Sequence, residues 1–399
     1  MSTTAHKASR AMLGAAALSG CLFFTAGCSV PEAEQGDTIK IGAILPVTGP
    51  VSEWGESNKA VLEMFEDEVN DAGGIEGKDL EIVVYDSGAK PAEAANLVRK
   101  LASQDNVIGI LGPFTSSEAE VAFPVANQLK VPVISQASSK PGVAEQNRPW
   151  AFRNTVNEGA YLGAVVPEMK KDLGATSVAV AYDSADAVGT SIGTGIMPPV
   201  VEANGLELTT GTSPVTFTTT DIDLKAQVSS LIKTDADAIG LGAFYNGAGK
   251  LLREMSSRGA NTPIFGGSTL VSANILEAAP KTTIYSSGTY FPGAEDAADW
   301  TAEVEKVFAE EGVPGSPTMF DSQVYEAASM YVEAIKAGDL SDADVEAARI
   351  GIRDFLTDMK DFQGLTTVIS MQETGDVSRE FYVLKGAGGE WSVLASATP

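Results

Sequence analysis

An alternation constrains this 399-residue chain more than any other feature. Short runs rich in β-branched residues, at 39–45, 80–85, 107–111 and 131–134, are separated by longer segments of helical period. The first of these segments spaces Val61, Met64, Phe65 and Val69 by three and four, on one helix face, and Ala72-Gly73-Gly74 ends it. Helices are expected over 91–104 and 117–128 as well. Parallel strands need a long crossover, and a helix supplies it, so the pattern predicts a parallel sheet covered by helices on both faces. From Gly159 the pattern restarts: a helix to 173, a strand at 178–181, a helix at 190–203, a strand at 206–209, a helix at 221–233, a strand at 238–241, a helix at 247–258 and a strand at 263–265. That makes a second α/β unit, with the Thr-rich stretch 216–220 expected as a loop before an Asp-capped helix. Beyond it, 297–311, 321–337 and 344–359 read as helices with no strand between them, and 368–394 reads as β-rich. Such a tail is best used to complete the two earlier units.

The N-terminus reads as an export signal. Lys7 and Arg10 precede an apolar run of small residues from 11 to 26, shorter than a membrane span, and no acidic residue occurs before Gly27-Cys28. Thr25-Ala26-Gly27-Cys28 resembles a bacterial lipobox, with Thr25 where Leu is usual, which makes Cys28 the expected lipidation site; ordinary cleavage that leaves Cys28 as a free thiol is the alternative. Cys21 leaves with the signal, so no disulfide can form within the mature chain, and the fold must be held by its core. The whole chain carries 27 Lys and Arg against 53 Asp and Glu. An acidic balance of this size offers no basic stripe for nucleic acid and disfavours anionic lipid surfaces.

Much chemistry is absent. The one histidine is His6, inside the signal, so the mature chain has no imidazole for a Ser-His-Asp triad or a histidine zinc site. No GxxxxGK[ST] loop occurs, and neither Gly240-Leu241-Gly242 nor Gly109-Ile110-Leu111-Gly112 completes GxGxxG. Acidic pairs such as Asp183 with Asp186 read as solvated faces. No enzymatic activity, metal or cofactor is expected.

A set of ordered motifs goes further: 41–50 (Ile-Gly-Ala-Ile-Leu-Pro-Val-Thr-Gly-Pro), Trp54-Gly55, 72–78 (Ala-Gly-Gly-Ile-Glu-Gly-Lys), Tyr85-Asp86, Ile110-Leu111-Gly112-Pro113 and Val131-Pro132-Val133-Ile134-Ser135. In these the chain resembles the leucine/isoleucine/valine-type periplasmic binding proteins, densely over the first 120 mature residues and at pattern level over 38–399. The resemblance implies a type I periplasmic binding protein fold: α/β, two Rossmann-like lobes with parallel sheets joined by a three-strand hinge. Lobe 1 is then expected over 38–153 plus 291–365 and lobe 2 over 154–290 plus 366–399, after a signal at 1–27 and a linker at 28–37. The crossings would fall near 152–155, 288–292 and 365–369.

In that family loops after first-lobe strands hold the ligand's carboxylate and ammonium, where helix N-termini favour an anion. The matching loops here contain Thr115, Ser116 and Ser117, and Ala137, Ser138 and Ser139. Ser116 and Ser139 match hydroxyl donors and Ala137 a backbone contact, although the same serines also read as helix caps. Trp54 matches an aromatic that lies against the ligand, and Phe244-Tyr245 matches the opposite wall. Ala187-Val188-Gly189 stands where branched-chain binders have an aromatic before the glycine. The acid that neutralises the ligand ammonium falls at or near Gly267-Ser268-Thr269, which carries no charge. Asp321 and Asp186 are the candidate replacements; each also reads as a cap or a solvated acid.

The resemblance therefore implies an exported, lipid-anchored, monomeric solute-binding protein of an ABC importer. It would close two lobes around a small amino-acid-like ligand and present the closed form to membrane permease subunits. An amide, a urea, or an aromatic or aliphatic carboxylate is the alternative ligand, and a sensor working with a separate signalling partner is the alternative role.

Overall fold

The computed structural model describes residues 38–399 apart from Pro292, so the signal, Cys28 and the linker lie outside the described residues. A first sheet is wholly parallel and runs in the order β2-β1-β3-β4-β5, from β1 (Thr38–Leu45), β2 (Asp79–Asp86), β3 (Ile110–Leu111), β4 (Val133–Ser135) and β5 (Ala151–Arg153). Helices α1 (Ser52–Asp71), α2 (Pro91–Ser103) and α3 (Ser116–Leu129) make the crossovers. Successive side chains of a strand leave on opposite faces, and β1 shows it: Ile41, Ala43 and Leu45 enter one core and Ile44 the other. Because β2 lies on one side of β1 and β3 on the other, the chain reverses its winding at β1. A crevice opens there beyond the strand C-termini.

The second sheet repeats the plan. Its parallel strands are β6 (Ser177–Asp183), β7 (Glu207–Leu208), β8 (Val215–Phe217), β9 (Ala238–Gly242), β10 (Ile264–Phe265) and β11 (Ile284–Gly288). They are covered by α4 (Glu158–Leu173), α5 (Ala187–Ser191), α6 (Met197–Ala203), α7 (Lys225–Lys233), α8 (Tyr245–Ser257) and α9 (Ala273–Ala278). Val178 and Val180 face one core and Ala179 and Ala181 the other. The helices read without intervening strands, α10 (Ala298–Glu311), α11 (Met319–Ala337) and α12 (Val345–Asp358), return to the first sheet and bury Trp300, Phe320, Val324, Ile352 and Leu356 in its core. A small antiparallel sheet of β12 (Phe362–Gln363), β13 (Val368–Met371) and β14 (Val377–Ser378) joins the same core, and β15 (Phe381–Ala387) and β16 (Glu390–Ala397) close the second sheet antiparallel beyond β11.

Three local readings are corrected. The helix expected at 190–203 is interrupted by a wider turn at Ile192–Ile196, because Pro198 and Pro199 remove two consecutive backbone donors. Asp221 does not cap a helix: its carboxylate takes the N–H of Thr218 at 2.8 Å and the Thr218 hydroxyl at 3.0 Å, so α7 begins at Lys225 and the Thr-rich stretch contributes β8. The third crossing, expected near 365–369, lies between β14 and β15, because Ile369, Met371 and Val377 are needed in the first core.

The crossings are tied together from one helix. On α11, Gln323 donates to the hydroxyls of Thr155 (3.4 Å) and Thr289 (3.1 Å), and its carbonyl accepts from Asn154 (2.9 Å). One turn on, Glu326 accepts from Asn154 (3.1 Å) and the Leu365 N–H (3.0 Å) and pairs with Arg379 at 2.5 Å, both side chains buried. All three crossings thus meet a single turn of α11.

Candidate ligand cleft

The loops that line the crevice are shaped by the strands they follow. After β1 the chain turns into α1, and a Cβ on Gly55 would sit 2.1 Å from the Pro46 carbonyl oxygen, so only glycine lets the helix start this close to the loop. That approach sets Trp54, fully buried, against aromatics of both lobes: Phe114 at 5.5 Å between centroids and nearly parallel, Phe320 at 4.7 Å, Tyr245 edge-on at 4.6 Å and Phe244 at 5.9 Å. Trp54, Phe244 and Tyr245, which the resemblance puts on opposite walls of one site, pack against one another as one aromatic box. Phe114 and Phe320 complete it, and the sequence offered nothing to separate them from ordinary core.

The hydroxyl loops have divided roles. Thr115 is the cap of α3: its hydroxyl accepts the Glu118 N–H at 3.2 Å and donates to the Glu118 carboxylate at 2.6 Å. Ser116 accepts from the Ser138 hydroxyl and from the Lys140 N–H, both at 3.2 Å, which joins the two loops. Ser117 bridges the lobes, donating to Asp186 at 3.3 Å and accepting the Ala187 N–H at 3.2 Å. The N–H of Ala137 meets the Ser135 hydroxyl at 3.4 Å. Behind the second loop, buried Arg153 donates to the carbonyls of Ser138 (2.6 Å) and Lys140 (2.7 Å) while pairing with Asp376 at 2.6 Å. A fixed guanidinium fork holding two carbonyls on one side of a loop fixes the loop's shape.

Ser139 leads to the centre of the cleft. Its hydroxyl donates at 2.9 Å to Oε1 of Glu158, the first residue of α4, and Ser268 of the second lobe donates to the same oxygen at 2.6 Å. The other carboxyl oxygen, Oε2, is buried and has no partner. It lies where a side chain at Gly267 would begin, a Cβ there falling 1.4 Å from it. Complete burial pushes the Glu158 carboxyl up to about 7, although the hydroxyls of Ser268 and Ser139, the Ser268 N–H and the charge of Arg153 act in the opposite direction. Trp54 Nε1, Gln136 Oε1 and Thr269 Oγ1, from the same loops and walls, are also buried without partners. Buried polar atoms are normally satisfied, so such a group marks a place for something else.

The two acids singled out from the sequence are engaged elsewhere. Asp186 caps α5 through the Gly189 N–H at 2.8 Å and meets Ser117; burial raises its pKa. Asp321 is fully buried in the capping box of α11, with Oδ2 accepting from Thr318 N–H (2.7 Å) and hydroxyl (2.8 Å) and Oδ1 from Asn58 (2.9 Å). Asn58 in turn accepts from Gln136 at 3.0 Å. With both oxygens occupied inside the first lobe, Asp321→Asn is expected to cost about 1–2 kcal/mol of stability, as a lost cap and buried hydrogen bond do. Ligand affinity should change less than threefold on that scale, about 0.6 kcal/mol. Urea unfolding and calorimetric titration separate the two effects. Glu158 was missed in the sequence because an acid after an N-cap asparagine is ordinary for a helix start.

The comparison with known families decides what this architecture is. The family model described as periplasmic binding protein matches residues 38–390. The chain belongs to the periplasmic binding protein family. Among this family's members, the leucine-, isoleucine-, valine-, threonine- and alanine-binding protein of Pseudomonas aeruginosa is 28% identical over 234 residues, 58% of this chain and 60% of that protein's length. A Leu/Ile/Val-binding protein homologue of Brucella abortus is 25% identical over 366 residues, 89% of this chain and 93% of the relative. Among solved structures, the branched-chain amino acid transporter substrate binding protein LivJ of Streptococcus pneumoniae, in complex with isoleucine, superposes with a TM-score of 0.78 at 24% identity, covering 91% of this chain and 99% of that one. As a periplasmic binding protein, the chain has the type I fold that its motifs imply.

Proposed function

We propose that this chain is the extracytoplasmic solute-binding protein of an ABC importer and that its ligand is an amino acid with an apolar side chain. The observation that carries the reading is Glu158: an acid in the closed cleft, held at Oε1 by hydroxyls from both lobes and unpartnered at Oε2. A ligand ammonium at Oε2 supplies the missing counter-charge, and leaving either charge buried alone would cost several kcal/mol. The ligand carboxylate goes to the loops of Ser116, Ala137 and Ser138, at the N-terminal end of α3, where the helix dipole favours an anion. The side chain enters the box of Trp54, Phe114, Phe244, Tyr245 and Phe320. The acid expected near residues 267–269 is thus delivered from α4, into the space that Gly267 leaves open.

In this reading the protein catalyses nothing, is exported, is anchored through Cys28, and hands its closed, liganded form to permease subunits. The two relatives support it by their names, one a leucine-, isoleucine-, valine-, threonine- and alanine-binding protein and one a Leu/Ile/Val-binding protein homologue. A second reading, a carboxylate without an ammonium, is favoured by the raised Glu158 carboxyl, whose protonated form can itself donate a hydrogen bond. A thermal-shift screen of the purified protein against amino acids, amides and aromatic acids tests both. A specific ligand at 100 times its Kd adds about 2.7 kcal/mol of stability. Hits confined to aliphatic amino acids support the first reading, hits confined to acids without an amine support the second, and the absence of any hit in either class counts against both.

A further inference from the structure

The mouth of the cleft carries a second carboxylate whose donors all come from the opposite lobe. Glu53 stands in the first turn of α1, one residue before Trp54. Its carboxylate accepts from the hydroxyl of Ser272 at 3.0 Å and from the side-chain amide of Asn274, with the phenol of Tyr245 close by. Ser272 caps α9, with its hydroxyl also accepting the Asn274 N–H at 3.1 Å, and Tyr245 opens α8. Beside them, Asn246 of the second lobe donates to the Pro50 carbonyl of the first. Burial raises the Glu53 carboxyl. No residue of the first lobe is a hydrogen-bond donor to it among those named, so the bonds exist only while the lobes are together.

We infer that Glu53 is the latch of the closed state: it holds the lobes shut by accepting from Ser272 and Asn274, without touching the ligand. The inference rests on the closure reading above but not on the identity of the ligand. Hydrogen bonds to an ionised acceptor are about twice as strong as neutral ones, and two of them reach across a single gap. A latch made only after encounter acts on the rate of release and not on the rate of capture. It also acts alike on every ligand that allows closure, whereas a ligand-binding acid discriminates among ligands by their charge. Glu53 is in this sense a positioning residue, set apart from Glu158.

The test compares wild type, Glu53→Ala, the pair Ser272→Ala with Asn274→Ala, and the triple variant that carries all three changes. Stopped-flow Trp fluorescence gives capture and release rates for L-leucine, L-isoleucine and L-threonine, and spin labels, one on each lobe, give the interlobe distance by pulsed EPR. Release is expected to quicken by about tenfold or more in Glu53→Ala, by the same factor for each amino acid, with capture unchanged and with no further loss when Ser272 and Asn274 are also replaced. The interlobe distances should shift to longer values. Unchanged release together with unchanged distances overturns the latch, and so does a loss that differs tenfold between ligands or that appears in capture alone. If wild type binds none of the three amino acids, it is the amino-acid reading that falls. The interlobe distances of ligand-free wild type and Glu53→Ala then decide the latch, longer in the variant if it holds and identical if it does not.

Discussion

Replacing Glu158 by glutamine is expected to weaken binding of L-leucine and L-isoleucine by a hundredfold or more, the size of leaving a buried ammonium without its partner, ~3–5 kcal/mol. Glutamine keeps the volume and can still accept from Ser139 and Ser268, so the change isolates charge. The pH profile carries the same signature. In the closed cleft burial holds the carboxyl near 7 until a counter-charge arrives, and an ammonium ligand must bind its ionised form, so wild-type affinity should rise with pH up to about 7 and then level off. The glutamine variant should show no such rise. For stability the sign reverses. An acid whose folded pKa lies above its unfolded value of 4.5 binds its proton more tightly when folded, so its contribution is full below 4.5 and is lost as pH climbs through about 7. Isothermal titration calorimetry from pH 5 to 8.5 reads the binding profile. Unchanged affinity in the variant would place the ammonium elsewhere, and an affinity for an amine-free acid that falls above about 7 would favour the second reading.

Arg379→Met is expected to cost ~3–5 kcal/mol of stability, because it leaves the Glu326 carboxylate buried and unpaired among the hinge crossings. The full effect belongs to the orphaned charge and not to the pair as such, so Glu326→Gln added to Arg379→Met should recover much of the loss. Urea unfolding of the two variants checks this. If the single and double variants are equally destabilised, the methionine packing is at fault and the pair has no special place in the hinge. Because Glu326 also accepts from Asn154 and the Leu365 N–H, the double variant should still alter ligand affinity through the crossings, without any contact with the cleft.

Particular residues show why some of this was legible beforehand and some was not. The β1 run and the spacing of Val61, Met64 and Phe65 announce a strand and a helix because burial of alternate or every third and fourth side chain is a local rule. The Thr115 and Ser138 loops are legible through the family resemblance, which places the site in loops after such strands. The β8 strand is not, since it depends on what packs against it, whereas the helix break before Pro198 follows from the local Pro198-Pro199 pair, whose effect the helical spacing of the run conceals.

The sequence by itself determined two α/β units, a tail that returns to them, an acidic surface, a mature chain without imidazole, and a family whose motifs stand in order. Tertiary structure alone decided that Asp321 is spent inside the first lobe, that Glu158 fills the space over Gly267, and that Glu53 reaches Ser272 and Asn274 of the other lobe. The physical reason is the same each time. Periodicity reports which side chains are buried, but a carboxylate's role is set by which donors meet it. Thr318 and Ser139 lie near their acids in the chain, but Ser268, Ser272 and Asn58 lie about 110 to 263 residues from the acids they meet, a distance over which no local pattern carries information.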